Sequence, residues 1–496
     1  MSSNEKLLAG VAKEDITPEV GTKLFLGTST GAIDLPLYTK ALVLSDGNRT
    51  IAICTNDLLD LPRDIVIEAR RQIQEKSGIP EENILLCASH THKGPYPIEG
   101  SYRDKLLSKI VNVVCKASDN REKACIGYAK GAIVGVNINR RNPYGPVDPD
   151  VGVIRVDKVN GEHFAILFNF AMHGVVLGHS KYNGVSPDWI GHATKYIEEL
   201  WGEGTIALFT QGAAGNVNPY TSYGYTGFTN KGGSVKDAEN IGKLLALETI
   251  IVADQIQTTP EVKISMASSR RRLWEEKNFE PIERWRRLIN KKRQELESLK
   301  RQDVPLQQVE VVRKRIEYME KFGDLFFGKL GERFKQKREN PEESEIMVIG
   351  INDLRLVCVG GELFTEYSLE IKEKALSMGY KSVFVVELAN GAWDGYIPTE
   401  IAYSEEYGYE SFYAEILSGL SPKAGQLIVD TALELISKCG KPIETPPKPF
   451  IKQYLPNGEA YAIKPLKGSR LDRLMETLPY HHELRARRTE VIHDLP

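Results

Sequence analysis

His90 and His92, in the stretch Leu85-Leu86-Cys87-Ala88-Ser89-His90-Thr91-His92-Lys93-Gly94-Pro95, have the types and spacing to do chemistry. The apolar run Asn83 to Ala88 predicts a buried strand, and Gly94-Pro95 the loop that ends it. In extended chain, residues two apart share a face, so both imidazoles would aim at one point beyond the strand end. A neutral imidazole ligates divalent metals and acts as a general base near neutral pH. Two polar histidines that only cap a strand would leave the same three residues, so both readings stand at this point.

A similar pattern recurs downstream. The strand predicted over His163 to Phe170 runs into Ala171-Met172-His173-Gly174, and two strand ends delivering imidazoles is how a rigid scaffold builds a metal site. His179, in a polar loop, and His192, in a predicted helix, are weaker candidates. Asp188, in Ser186-Pro187-Asp188, reads as part of a helix start, or as a carboxylate that orients a ligand histidine. Asp57 and Asp60 close another strand, where N-capping of the helix after Pro62 explains them as well as a site does.

Arg140 and Arg141 lie in the loop Gly135-Val136-Asn137-Ile138-Asn139-Arg140-Arg141-Asn142-Pro143. Planar guanidinium donors there suit an anion or a carbonyl oxygen, although a solvated loop charge is the simpler account of composition. Gln211-Gly212-Ala213-Ala214-Gly215-Asn216-Val217-Asn218-Pro219 follows a strand at Thr205 to Phe209, and its small residues let backbone approach a ligand. Glu362 follows an apolar strand and Gly360-Gly361, an unusual place for a carboxylate unless a charge meets it. Tyr220 to Gly233 reads as a substrate-covering loop or a plain surface loop.

The elements that must position these groups alternate. Strands are predicted over 39–45 and 50–55, joined by Asp46-Gly47-Asn48, then near 124–130, 151–157, 345–351, 354–359 and 382–387. Helices are predicted over 63–77, 102–118, from Ser234 to about 257, and over 420–438. The fold class is therefore mixed α/β, a β-sheet core flanked by helices. Between 270 and 341 the composition shifts to Arg, Lys, Glu and Gln. Ile282, Trp285, Ile289, Leu296 and Leu299, then Leu306, Val309, Ile316 and Met319, fall at helical spacing and predict an inserted charged helical hairpin. Residues 441–496 read as an extended C-terminal arm, so the expected division is a domain over 1–440, interrupted by 270–341, and an arm.

A net charge of −3 gives no electrostatic reason to expect nucleic acid or an anionic membrane as partner, and no apolar run is long enough to span a bilayer. The six cysteines are scattered without a CxxC, and Cys54, Cys87 and Cys358 sit in strand-like runs as small buried hydrophobes. No leader-like segment opens the sequence, and a cytoplasmic, reduced protein is expected.

Taken together, Ser89-His90-Thr91-His92-Lys93-Gly94-Pro95, Asn137-Ile138-Asn139-Arg140, Ala171-Met172-His173-Gly174, Gln211 to Pro219, Gly361-Glu362-Leu363-Phe364-Thr365 and Gly395-Tyr396-Ile397-Pro398-Thr399 resemble the neutral/alkaline (non-lysosomal) ceramidase family and its zinc-amidase catalytic domain. The resemblance spans about 8–438 apart from the hairpin, with the motifs in the family's order. It implies Zn2+ held by His90, His173, Glu362 and Tyr396. It makes His92 and Arg140 pocket residues, with Arg140 and Tyr396 stabilising an oxyanion and His92 moving the leaving-group proton. Asn216, Asn218 and Arg141 fall where substrate contacts are expected. The family's motif serine falls on Asn218, which can donate through its amide but cannot be a nucleophile. The secreted relatives' signal peptide and immunoglobulin-like domain are not expected here and the hairpin reads as additional, so a smaller, more polar substrate than ceramide is expected.

The leading expectation is a zinc-dependent hydrolase of an amide or ester. One alternative is a zinc-dependent lyase or hydrolase on a sugar or uronate, whose carboxylate Lys93, Arg140 and Arg141 would suit. The other is a metal-stabilised scaffold without activity. Expected partners are a small-molecule substrate and, through the hairpin or the arm, a second copy of the chain.

Overall fold

The computed structural model describes residues 6–441 apart from 25–28, 96–99, 143, 179, 181, 203, 223–231, 275–280, 303, 307–308, 311, 314–315, 318, 321–342, 392–394 and 405–408. His179, most of the Tyr220–Gly233 segment and the arm after 441 therefore lie outside the described residues.

The first half of the chain contributes strands β1 (Leu8–Asp15), β2 (Tyr38–Ser45), β3 (Thr50–Asn56), β4 (Ile84–Ala88), β5 (Glu122–Ala132), β6 (Asn137–Asn139), β7 (Asp150–Lys158), β8 (His163–Phe170), β9 (Ile206–Gln211) and β10 (Val217–Pro219). Interleaved with them are helices α1 (Arg63–Ser77), α2 (Ser101–Asp119), α3 (Asp188–Trp201) and α4 (Val235–Asp254). The second half contributes β11 (Ile264–Arg271), α5 (Pro281–Lys300), β12 (Ser344–Ile351), β13 (Leu354–Val359), β14 (Glu362–Leu363), α6 (Thr365–Ser377), β15 (Ser382–Val386), β16 (Tyr396–Ile397), α7 (Glu400–Ser404), α8 (Tyr409–Phe412) and α9 (Ala424–Lys438).

Two sheets stack face to face between helices. The larger runs β4-β3-β2-β1-β5-β7-β8-β9 and the smaller β11-β12-β13-β15. Leu42, Ile53, Leu167 and Leu208 of the first meet Met347, Ile349, Leu356 and Phe384 of the second in one apolar layer. The outer faces are covered too. Ala41, Val43 and Leu86 pack on Ile65, Ile73 and Ile110 of α1 and α2. Phe168 and Phe209 pack on Trp189 and Ile241 of α3 and α4. Val348 and Val385 pack on Ile371 and Ile428 of α6 and α9. Strands buried on both faces explain the apolar runs that read as unbroken in the sequence.

The expected mixed α/β class is the observed one, and the Asp46-Gly47-Asn48 and Asn352-Asp353 hairpins join strands in antiparallel register. Ser234 and Asp237 form the expected capping box of α4. The aspartates before α1 do not cap it. Pro62 occupies the N-cap, whereas Asp57 accepts from the Tyr38 amide (2.9 Å) and Asp60 from that of Leu61 (2.7 Å). Strand β11 and helix α6 were not foreseen. The charged insertion follows β11 as α5 and a second helical stretch within 306–320, with Trp285, Ile289, Val312, Ile316 and Met319 packed around Phe412 of the same chain. Leu306, expected on its apolar face, is 85% exposed. No helix among the described residues is long and apolar enough to cross a membrane.

Candidate metal centre and active site

Three parallel pairings, β3 with β4, β8 with β9 and β13 with β15, send their C-terminal ends toward one edge of the stacked sheets. Backbone bonds from Gly212 to Phe170, Glu387 to Gln211, Leu388 to Gly361 and Ala88 to Leu388 lace the loops leaving those ends. His90, His92, His173, Asn216, Asn218, Glu362 and Tyr396 all follow those strand ends, whereas Arg140 and Arg141 follow β6.

After β4 the chain turns sharply. His90 is left-handed (φ 67°), so the extended geometry expected for the histidine pair does not hold. Its amide donates to the Leu58 carbonyl (2.9 Å) and its Nδ1 reaches the Leu59 carbonyl (3.0 Å), which offset a strain of about 1–2 kcal/mol for a non-glycine residue there. The His90 and His92 rings meet edge to face with centroids 4.9 Å apart, and His173 meets His90 at 4.6 Å. Gly174 makes this convergence feasible, because a Cβ there would lie 2.8 Å from the His90 carbonyl oxygen.

His173 is fully buried, and its Nδ1 lies 2.7 Å from the Ala214 carbonyl. Carbonyl oxygens only accept, so the proton of each neutral ring sits on Nδ1 and Nε2 presents a bare lone pair. Both Nε2 atoms face the same carboxylate oxygen: Glu362 Oε2 is 3.1 Å from His173 and 3.3 Å from His90. Burial would raise the Glu362 carboxyl, but His90 and His173 override it and hold it well below the usual carboxylate range. Lone pairs converging on an ionised oxygen require a cation or a proton between them. The Nε2 atoms of His92 and His90 are 3.4 Å apart, and the three imidazoles form a group that could hold a metal ion. The Glu362 separations of 3.1 Å to His173 and 3.3 Å to His90 lie close to the edges, about 3.3–3.4 Å, of a tetrahedron with bonds of about 2.0–2.1 Å. The donor set thus fits a divalent ion.

Glu362 and Tyr396 are register partners in the short parallel pair β14–β16, and the Glu362 amide donates to the Gly395 carbonyl (2.8 Å). Burial first, then the charge of Glu362, pushes the Tyr396 phenol well above its usual range, so it stays a neutral donor. A second close approach sets this loop: a Cβ on Gly215 would lie 2.5 Å from the Glu362 carbonyl oxygen. Gly215→Ala is expected to displace Glu362 and weaken divalent-ion affinity about 10–100-fold, measured by calorimetric titration; unchanged affinity would contradict this placement.

Arg140 enters from β6, which pairs with β10 so that Ile138 opposes Asn218. Its Nη1 lies 3.2 Å from Asn218 Oδ1 and 3.4 Å from His173 Nε2, and its guanidinium sits 5.1 Å from the centre of the Tyr396 ring. Its Nη2 is buried and makes no hydrogen bond of ordinary geometry. Such a donor is costly unless a ligand meets it.

Other expected contacts fall differently. Glu410 of α8 binds both guanidinium groups, accepting from Arg140 Nε (2.8 Å) and Arg141 Nη1 (2.6 Å). Lys93 Nζ donates to the Tyr182 carbonyl (2.7 Å). Lys93 and Arg141, expected to attract a substrate carboxylate, are thus engaged within the fold, and Arg140 is engaged at Nε and Nη1. Asn216, expected at the substrate, holds the start of α6 by accepting from the Thr365 amide (3.0 Å) and donating to Glu366 (2.8 Å). His192 pairs with Asp34 (3.0 Å). Asp188 does not bind a ligand ring but accepts from the Val176 and Leu177 amides, while Trp189 Nε1 donates to the His173 carbonyl (3.0 Å).

Two groups escaped the sequence reading. Glu387 is fully buried at the end of β15, accepts from the Leu363 amide (2.8 Å), and is pushed well up by burial and Glu362. It carried the same strand-end signal as Glu362. Glu410 carried none, on a four-residue helix with no periodicity to read.

No family model matches the chain. Neutral ceramidase A of Dictyostelium discoideum is 28% identical over 235 residues, 39% of this chain and 32% of its own length. The neutral ceramidase of Pseudomonas aeruginosa is 24% identical over 245 residues, 42% of this chain and 36% of its own. These matches span about a third of the curated relatives. The crystal structure of the Pseudomonas aeruginosa enzyme superposes with a TM-score of 0.63 at 18% identity, covering 89% of this chain and 76% of that one. A structure described as ceramidase complexed with C2 gives the same TM-score at 19% identity. The chain is thus similar to the neutral ceramidases over part of its sequence, and its fold is similar to that of the Pseudomonas aeruginosa enzyme.

Proposed function

We propose that this protein is a zinc-dependent hydrolase that cleaves the amide bond of a small N-acyl substrate, with His90, His173, Glu362 and Tyr396 as the metal-binding side chains. The observation that carries the reading is the Nε2 atoms of two buried histidines facing one ionised Glu362 oxygen, beside the buried Arg140 guanidinium and the Tyr396 side chain it meets. The similarity to neutral ceramidases supports the choice of an amide. A zinc ion bound there would supply a Lewis acid that lowers the pKa of a bound water toward neutrality. Arg140 Nη2 and the neutral Tyr396 phenol donate to the substrate oxygen as negative charge develops on it. His92, beside His90, carries a proton to the departing nitrogen. Asn218 keeps its Oδ1 on Arg140 and offers no hydroxyl, so water attacks directly without an acyl-enzyme.

The test is product analysis over short-acyl ceramide, smaller N-acyl amides, esters and uronate-containing sugars, before and after metal removal. Amide cleavage that chelation abolishes and zinc restores is expected. An unsaturated, ultraviolet-absorbing product would instead mark elimination, and no turnover by the metal-loaded chain on any substrate would contradict the reading.

Metal binding should depend on pH with a definite sign. Burial pulls the His90 pKa down, but Glu362 overrides it and raises it; His173 is pushed down to about 4 by burial, Arg140 and His90. His90 must therefore shed a proton to bind a metal, whereas His173 is already neutral near pH 7. Affinity is expected to weaken as pH falls through the His90 range and to level off above it. Calorimetric titration from about pH 5.5 to about pH 8 measures this, and a flat profile would contradict it.

A further inference from the structure

We propose that Glu410 is a positioning residue for Arg140, and that the inserted helical hairpin braces Glu410 from behind. The inference rests on the reading of Arg140 as the donor to the substrate oxygen. Glu410 is 2% exposed and its two carboxylate oxygens take one guanidinium each, Arg140 at 2.8 Å and Arg141 at 2.6 Å. A planar guanidinium held along its Nε edge by Glu410, and at Nη1 by Asn218, has no freedom left to turn Nη2. Without the carboxylate, the same cation would sit buried against His173 with no fixed edge.

Glu410 has little support of its own. It stands on a four-residue helix that continues as a π-helix over Tyr413–Leu417, a rare conformation that recurs at functional sites. The support comes from the insertion. Phe412, two residues on, is fully buried with its ring centroid 3.9 Å from that of Trp285 in α5, and Ile289 and Ile316 join the same cluster. Tyr413 packs on this cluster and also meets the Tyr396 ring at 5.8 Å. The hairpin therefore reaches the site by two short routes, through Glu410 to Arg140 and through Tyr413 to Tyr396. Its charged outer face reads as a solvated surface; its apolar face touches what holds the donors.

The test compares Glu410→Gln, which keeps shape and removes charge, with Trp285→Ala, which lies outside the site, in the full metal-loaded chain. Two readouts are taken. The first is exchange of the Arg140 Nε–H proton by nitrogen-15 arginine NMR, the signal being assigned through its loss in Arg140→Lys. The second is turnover on the best amide substrate. Faster exchange is expected in both variants, with metal content at the parent level. kcat should fall about 10–100-fold in Glu410→Gln and about 3–10-fold in Trp285→Ala, with KM changed by less than about 2-fold. Parent-like Nε–H exchange and kcat in Glu410→Gln would overturn the positioning role. The same result in Trp285→Ala would overturn the brace, and this variant alone decides if Glu410→Gln does not fold. If the parent cleaves no amide, the proposed function fails while the exchange measurement still judges the clamp.

Discussion

His173→Ala and Glu362→Gln are each expected to leave the purified chain with less than about a tenth of the parent's metal and to cut turnover about 1,000-fold or more. The size of the effect follows from the burial. His173 is sealed from solvent with Nδ1 committed to Ala214, so no neighbouring group can swing in to replace its Nε2. Glu362 supplies the oxygen that both imidazole Nε2 atoms face, so its loss removes the anionic member of the donor set. Metal analysis of the purified variants measures the first effect and steady-state kinetics the second. His92→Ala serves as the contrast, expected to retain the metal and lose turnover. Full metal occupancy in His173→Ala would contradict the assignment.

Arg140→Ala is expected to lower kcat about 100- to 1,000-fold with metal content unchanged, the range for losing one preorganised oxyanion donor. Arg140→Lys should recover little, because an ammonium has no planar fork to reach Glu410, Asn218 and the substrate oxygen together. Stability is a weaker effect here, since Glu410 keeps Arg141 as a partner after the substitution. A melting curve taken with the kinetics separates lost donation from lost fold. Activity within about 3-fold of the parent would remove Arg140 from the chemistry.

Much of this arrangement could be read from residue types in order. His90, His92, His173 and Glu362 each follow an apolar strand at the point where backbone pairing stops, and a polar group there is costly unless something meets it. Tyr396 entered through the family resemblance rather than through any local pattern. The sequence reading went astray where three-dimensional neighbours decide conformation. The left-handed turn at His90 depends on carbonyls of Leu58 and Leu59, a strand away. Arg140 and Arg141 looked available because Glu410, their shared partner, lies about 270 residues further on. Asn216 and Asn218 are two residues apart, yet one holds α6 and the other holds Arg140, a division that no spacing rule encodes. The stacking of two sheets was equally hidden, because strands buried on both faces lose the alternation that would tell one face from the other.

The hairpin shows the same limit from the other side. Its helical period was plain, but its role depends on Trp285 meeting Phe412, a contact between an insertion and a short helix that has no pattern of its own.

The central claim is that the side chains at these strand ends enclose one divalent ion. Anomalous diffraction from crystals of the chain grown with zinc, collected on both sides of the zinc absorption edge, tests it most directly. The account predicts one strong peak within about 2.0–2.2 Å of His90 Nε2, His173 Nε2 and a Glu362 oxygen. A zinc peak only elsewhere on the molecule, with these three side chains closed on one another, would contradict it.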